Sequence, residues 1–160
     1  MRNFKMMATK DLSSGEVLEY IGVASTNVVL LSEKGKGILL VRQYRPIFSQ
    51  FTLEVPGGGA EENESPKQAA IREVREETGI LLSDAKFIST VGLSMGTSDE
   101  VVNIFSANEK NILRNTGIVE DGVHLVWVPD HLAKDFILSE KLVDAKSLLA
   151  VNFFLEAKSN

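Results

Sequence analysis

Glu73, Glu76 and Glu77 lie within one short stretch rich in helix-forming residues. At about 100° per residue they share roughly a 100° arc of a helix. Seven glutamates fall between Glu54 and Glu77, against only Lys67, Arg72 and Arg75. Glu73 meets Glu76 and Glu77 at i+3 and i+4, and like charges at that spacing repel by a few tenths of a kcal/mol per pair. Such a cluster calls for a counterion. Oxygen-only donors suit a hard divalent cation such as Mg²⁺ or Mn²⁺. The alternative is a solvated helix face on which Arg72 pairs with Glu76 at i+4.

A helix must carry these carboxylates, and its ends are legible. Ser65 is placed as N-cap, Pro66 as the first helical residue and Gln68 at the capping-box position. Gly79 is the natural stop. Ala69 and Ala70 share the glutamate side, while Ile71, Val74 and the Thr78 methyl face the other way and can meet a core. Ahead of the helix, Pro56-Gly57-Gly58-Gly59 reads as a glycine-rich turn. It is either a simple tight turn or a place of close backbone approach.

Gly58, five residues, Glu64, seven residues and then Arg72-Glu73-Val74-Arg75-Glu76-Glu77-Thr78-Gly79-Ile80 resembles the Nudix box without a mismatch. The resemblance implies a mixed sheet between helices, an α/β/α sandwich of the α/β (α+β) class with an N-terminal β-hairpin extension. It implies metal ligation by the Gly57 carbonyl, Glu73, Glu76 and Glu77. Arg72 would orient the carboxylates, and Glu64 would hold Arg72 or the helix start.

Arginines at a strand end can grip a diphosphate, or simply mark an exposed strand end. Val41-Arg42-Gln43-Tyr44-Arg45-Pro46 and Leu53-Glu54-Val55-Pro56-Gly57-Gly58 resemble the ADP-ribose pyrophosphatase branch of the Nudix superfamily. In that branch an arginine matching Arg45 helps hold substrate, with Arg42 and Glu54 as further contacts. Ser94-Met95-Gly96-Thr97-Ser98-Asp99-Glu100 is similar to a substrate loop of the branch, although Met95 stands where the branch carries proline. Gly96 and Glu100 would meet substrate or water there. Glu120 matches a glutamate that supplies a metal ligand or the general base, and Ile118 stands where some relatives place another. Asp121 is the fallback. The catalytic candidates are therefore Glu120, Glu100, Arg72 and Glu76. Substrate would meet Arg45, Arg42, Glu54, Gly96 and Glu100. The metal would meet Gly57, Glu73, Glu76, Glu77 and Glu120.

The 160 residues suit one domain over 1–160. There is no cysteine, so no disulfide, thiolate site or cysteine nucleophile. A net charge of −5 argues against a nucleic-acid backbone as main partner. Arg2, Lys5 and Lys10 break any signal-type apolar stretch at the start, and no apolar run reaches membrane-spanning length. A cytoplasmic protein is expected.

Strands are expected at 3–9 and 16–24 around a turn at 11–15, and residues 1–24 could join a homodimer, with Phe4 and Tyr20 at the interface. A second hairpin at 27–31 and 37–44 follows, then strands at 52–55, 86–93, 101–107 and 123–128. Residues 111–121 read as a polar loop. Helices are expected from Asp130 to about Ile137 and from about Asp144 to Ala157. Trp127, Phe153 and Phe154 are expected in the core.

The expected function is hydrolysis of the diphosphate in a nucleoside diphosphate derivative, ADP-ribose or a nucleotide sugar first. The alternatives are nucleoside triphosphates, GDP-mannose-type substrates, or a non-catalytic module that senses nucleotides.

Overall fold

The computed structural model describes residues 8–159 apart from positions 12, 13, 16, 24 and 142. In chain order the elements are β1 (Ala8–Asp11), β2 (Val17–Tyr20), β3 (Thr26–Glu33), β4 (Gly37–Arg45), β5 (Gln50–Glu54), β6 (Gly57–Gly59), α1 (Pro66–Thr78), β7 (Ile80–Leu82), β8 (Lys86–Gly92), β9 (Val101–Asn108), β10 (Ile112–Asn115), β11 (His124–Val128), α2 (Asp130–Leu138) and α3 (Ala145–Ser159). Short 3-10 turns occupy Pro46–Phe48 and Glu109–Asn111. The expected strand at 3–9 is described only at its end, and Phe4 lies outside the described residues.

Val28-Val29-Leu30-Leu31 and Ile38-Leu39-Leu40-Val41 are apolar at every position and fully buried. Side chains alternate across a strand, so both faces of β3 and β4 must be covered. Val28, Leu30, Ile38 and Leu40 face a core completed by Ala133 and Ile137 of α2 and Ala150 and Val151 of α3. Val29, Leu31 and Leu39 face a second core with Ala70 and Val74 of α1. Trp127 packs at the edge of this second core, and Phe153 and Phe154 pack on the first. The result is the expected α/β/α sandwich.

The central sheet runs β11-β4-β3-β9-β8, with β3 and β9 parallel and its other pairs antiparallel. One edge of β4 carries β11. Its other edge meets β3 only at Ser32↔Ile38 and Glu33↔Gly37, and then β5 from Val41 onward. β3 likewise has β9 on one edge, with β4 and then β6 on the other. The β3–β4 hairpin therefore splays, and residues 50–59 cross the gap. This crossing carries Glu54 and the three glycines into the middle of the molecule.

Two expectations change. Gly57–Gly59 is not a turn but strand β6, paired with Val28, Asn27 and Thr26. Residues 111–121 are not wholly a loop, since β10 pairs with β7 immediately after α1. Ile112 packs on the second core, and its short pairing needs a partner about thirty residues away, which local patterning does not reveal. Ile21 continues from the β1–β2 hairpin and bridges to Ser98, with Ile21 N–H donating to the Thr97 carbonyl at 2.8 Å. Among the described residues no helix is long and apolar enough to cross a membrane.

The N-terminus of α3 is tied to the crossing segment. Ser147 is fully buried, donates to Asp144 and accepts the Val55 N–H at 2.7 Å. Ser147→Ala leaves that buried N–H without its partner, and a loss of about 1–3 kcal/mol in urea denaturation is expected. An unchanged midpoint would show that the bond contributes nothing.

Candidate functional site

Helix α1 forms as its sequence directs. Ser65 and Gln68 make a reciprocal capping box, Pro66 opens the helix and Gly79 closes it at φ 71°. The glutamate arc divides on packing. Glu73 and Glu77, one turn apart, are buried at 7 % exposure, beside Ala69 and Ala70. The Glu76 side chain is 45 % exposed. The sequence reading placed all three on one face, and the sheet buries only the two nearest β6.

Gly58 leaves room for Glu73. A Cβ at Gly58 would lie 2.4 Å from the Glu73 carboxyl. The carboxylate therefore packs against bare backbone, and a side chain at Gly58 would push it out of this position. Asn27, fully buried on β3, donates to the Gly58 carbonyl at 3.3 Å and accepts from Asn103 at 3.0 Å. Asn103 in turn accepts from Thr90. This buried polar chain fixes the backbone that Glu73 rests on.

Arg72 answers much of the charge problem. Its Nε and one terminal nitrogen grip Glu64 at 3.0 and 2.9 Å. The other terminal nitrogen donates to Glu73 at 3.1 Å and Glu76 at 3.0 Å, and the Gly59 carbonyl accepts at 2.9 Å. All five donors of the guanidinium are used. Glu64 also accepts the Glu61 N–H. These partners hold the Glu64 carboxyl below its usual range and push the guanidinium further up. Arg72 thus bonds Glu64 on one side and the Glu73 and Glu76 carboxylates on the other.

Glu77 has a different environment. It accepts the Gly57 N–H at 2.9 Å. Burial, with Glu73, Glu120 and Glu54 nearby, outweighs that bond and raises its pKa to about 8. Glu120 arrives from the segment between β10 and β11. That segment is pinned over the end of α1, where the Thr116 N–H and hydroxyl both donate to the Gly79 carbonyl at 2.9 and 3.0 Å. The β7–β10 pairing thus delivers Glu120 to the carboxylates of α1.

A cavity of about 270 Å³ gathers Arg45, Gly57, Glu73, Glu77, Glu120 and Lys146. These residues come from five parts of the chain that meet there, β4, β6, α1, the segment before β11 and α3, although Arg45 and Lys146 are 101 positions apart in the chain. Thr26 and Gln43 line it too. Lys146, Thr26 and Gln43 were not foreseen. A signal for Lys146 existed in Asp144-Ala145-Lys146-Ser147, a helix start that aims its first turn at the crossing segment.

Arg45 is locked to Glu54 through two 2.7 Å bonds. Glu54 is buried and also accepts from Thr52 at 2.7 Å. Burial alone would raise the Glu54 carboxyl, yet the Arg45 and Thr52 hydrogen bonds prevail and hold it below the usual range. Glu54, expected at the substrate, holds Arg45 with both of its oxygens. Arg42 is displaced as well. Strand alternation turns it to the opposite face of β4, where it stacks over Phe51 at 4.1 Å. Gly96 and Glu100 lie in the 94–100 loop and do not line the cavity. That loop closes without proline, through a Ser94–Thr97 hydroxyl pair and two N–H donors to the Ser94 carbonyl. Met95 is 87 % exposed beside it.

Among the described residues no three acidic or histidine side chains are already grouped as a cage for an ion. Arg72 draws the Glu73 and Glu76 oxygens, and the Gly57 N–H draws Glu77. The donor set nevertheless fits a hard divalent cation. Glu73, Glu77 and Glu120 bring carboxylate oxygen to one cavity, and a buried carboxyl with a pKa near 8 gains from a cation alongside. Glu76, expected with the metal, does not line the cavity.

The raised pKa predicts a pH dependence. The folded value lies above the ordinary 4.5, so metal-free stability falls as pH rises through the interval from 4.5 to about 8. Glu77→Gln keeps an acceptor for the Gly57 N–H and removes this slope. In a chelator its melting temperature should exceed the parent's by more at about pH 8.5 than at about pH 5. Parallel melting curves across that range would show Glu77 ionised throughout.

Comparison with known proteins agrees with this geometry. The NUDIX domain family model matches residues 23–146. An ADP-ribose pyrophosphatase of Bacillus subtilis (strain 168) is 29 % identical over 143 residues, covering 88 % of this chain and 76 % of that protein. A GDP-mannose pyrophosphatase of Yersinia enterocolitica is 21 % identical, covering 94 % of this chain and 83 % of that protein. The crystal structure of an ADP compounds hydrolase superposes with a TM-score of 0.75 at 19 % identity, over 96 % of this chain and 84 % of that one. That superposition shows the shared fold. The family match takes in every residue of the cavity, from Thr26 to Lys146, and the chain belongs to the Nudix hydrolase family.

Proposed function

We propose that this Nudix hydrolase cleaves the diphosphate of a nucleoside diphosphate derivative, ADP-ribose or a nucleotide sugar, with Mg²⁺ or Mn²⁺. The products would be a nucleoside monophosphate and a sugar phosphate. One observation carries the reading: a single cavity holds both a carboxylate set and two cations, Arg45 and Lys146. The similarity to an ADP-ribose pyrophosphatase over 88 % of the chain supports the substrate class.

Glu73, Glu77 and Glu120 would hold the divalent ion, with Glu76 and the Gly57 backbone at its edge. When bound, such an ion neutralises charge on the diphosphate and acidifies a water. Arg45 spends two donors on Glu54 and keeps three for phosphate oxygens. Because Glu54 fixes the guanidinium, little side-chain freedom is lost when substrate arrives. Glu120 takes the proton of the attacking water. Arg72 touches neither substrate nor water, and keeps Glu73 and Glu76 in place. The chain carries every glutamate of the Nudix box, which favours catalysis over a purely sensing role.

We also place the protein in the cytoplasm, as a homodimer built through the N-terminal strands and without nucleic-acid or membrane partners. The net charge of −5 and the small β1–β2 hairpin support this. Light scattering on the eluted protein should give twice the mass of 17.5 kDa. A monomeric mass would remove the dimer.

The test of function is chromatographic detection of released nucleoside monophosphate from ADP-ribose, nucleotide sugars and nucleoside triphosphates, with Mg²⁺ or Mn²⁺, since the cleavage yields two phosphomonoesters and no free phosphate. Turnover should be confined to the first two classes. Glu120→Gln should lower kcat by about 10²–10⁴-fold, and Arg45→Ala should raise KM. An equal loss of kcat in Glu100→Gln, with Glu120→Gln still active, would move the base to the 94–100 loop. Flat traces for every diphosphate derivative would overturn the reading.

A further inference from the structure

Arg45 and Lys146 line a second cavity as well as the first. It measures about 290 Å³ and is lined also by Phe48, Thr52, Glu54, Val143, Asp144 and Ala145. Its volume sits at the lower end of the range for small-molecule pockets. The two cavities have opposite characters. The first is dominated by carboxylates. The second has an aromatic ring, aliphatic side chains and few polar groups with capacity to spare.

The polar atoms of the second cavity are occupied internally. Glu54 takes Arg45 and Thr52. Asp144 takes Ser147 through one oxygen and Lys146 through the other. What remains for a ligand is the Phe48 ring, the Val143 and Ala145 surface, and cations at the junction. Phe48 is 59 % exposed, although it is a large apolar ring beside a concavity. Such a wall does not suit a sugar, whose hydroxyls would meet few open partners. It suits a flat, apolar-faced heterocycle stacked on an aromatic ring.

We propose that the substrate spans both cavities, with its nucleobase in the second, stacked on Phe48 against Val143. This rests on the diphosphate-hydrolase reading above and extends it to the orientation of the substrate. The diphosphate crosses the junction, where Arg45 and Lys146 both reach it. The sugar phosphate half lies in the carboxylate cavity. Lys146 is then a substrate-binding residue at the junction. The buried bond between Val55 and Ser147 holds it there.

The test compares AMP with ribose 5-phosphate by calorimetric titration, because the two differ only in the base. The parent protein should bind AMP about tenfold more tightly, the size of one stacked base. Phe48→Ala should erase that margin and leave ribose 5-phosphate binding unchanged. Val143→Trp, which fills the cavity, should do the same. Phe48 is largely exposed, so its truncation does not endanger the fold if the bulkier variant does. In both variants KM for ADP-ribose should rise with kcat retained. AMP binding unchanged in Phe48→Ala and in folded Val143→Trp would overturn this placement while hydrolysis persisted. Loss of hydrolysis by the parent protein would instead overturn the reading beneath it.

Discussion

The Arg72 guanidinium is the interaction on which the site depends. Two carboxylates of α1, Glu73 and Glu77, are buried within one turn of each other, with Glu76 on their flank. A buried carboxylate without a partner is costly, and two together are more so. Arg72 spends every donor it has to make the arrangement tolerable, reaching Glu64, Glu73, Glu76 and the Gly59 carbonyl. Lysine could not replace it, since a single ammonium has three donors and no planar fork. Glu77 receives no bond from this arginine. It accepts one backbone N–H, that of Gly57, and its carboxyl carries the raised pKa. The cost of burying the acidic face of the helix thus falls mainly on Glu77.

The backbone opposite the helix answers to the same constraint. Glu73 lies so close to β6 that any side chain at Gly58 would displace its carboxylate. That strand occupies its position because the β3–β4 hairpin splays and residues 50–59 cross the opening. Asn27, Asn103 and Thr90 secure the crossing from the sheet side, and Ser147 from the α3 side. Each of these is a hydrogen bond between residues distant in sequence and largely shielded from water, where an unmet partner is costly. The same crossing brings Glu54 to Arg45 and sets Lys146 at the junction of two cavities. The carboxylates and the two cations of the first cavity are therefore positioned by one segment.

Loops extend this framework. Thr116 fastens the approach to Glu120 onto Gly79, the residue that ends α1. The end of the helix is consequently also the anchor of the incoming carboxylate. On the other side, Ile21 and Val23 are hydrogen-bonded to the 97–99 part of the loop that resembles the substrate loop of the ADP-ribose branch. Residues that read as separate features along the chain, an N-terminal extension and a substrate loop, are one packed unit in the fold.

Helix α1 was legible from its sequence because its signals are local. Ser65, Pro66, Gln68 and Gly79 act within a turn of their own positions, and the capping box and left-handed stop follow from them. The buried runs of β3 and β4 were legible because apolar residues at consecutive positions require a sheet covered on both faces. The Nudix box, with its glutamates, was readable for the same reason: spacing along one helix is a property of the chain. Tertiary structure alone decided which carboxylates are buried, since Glu76 differs from Glu73 and Glu77 only in facing away from β6. It turned Arg42 away from the cavity and Glu54 into a support for Arg45, because strand alternation and cross-strand pairing settle where a side chain points. It also made β6 and β10 strands, through partners that no local pattern contains. And it brought Lys146 beside Arg45, a meeting that depends on the long-range bond between Val55 and Ser147 and that residue spacing could not have disclosed.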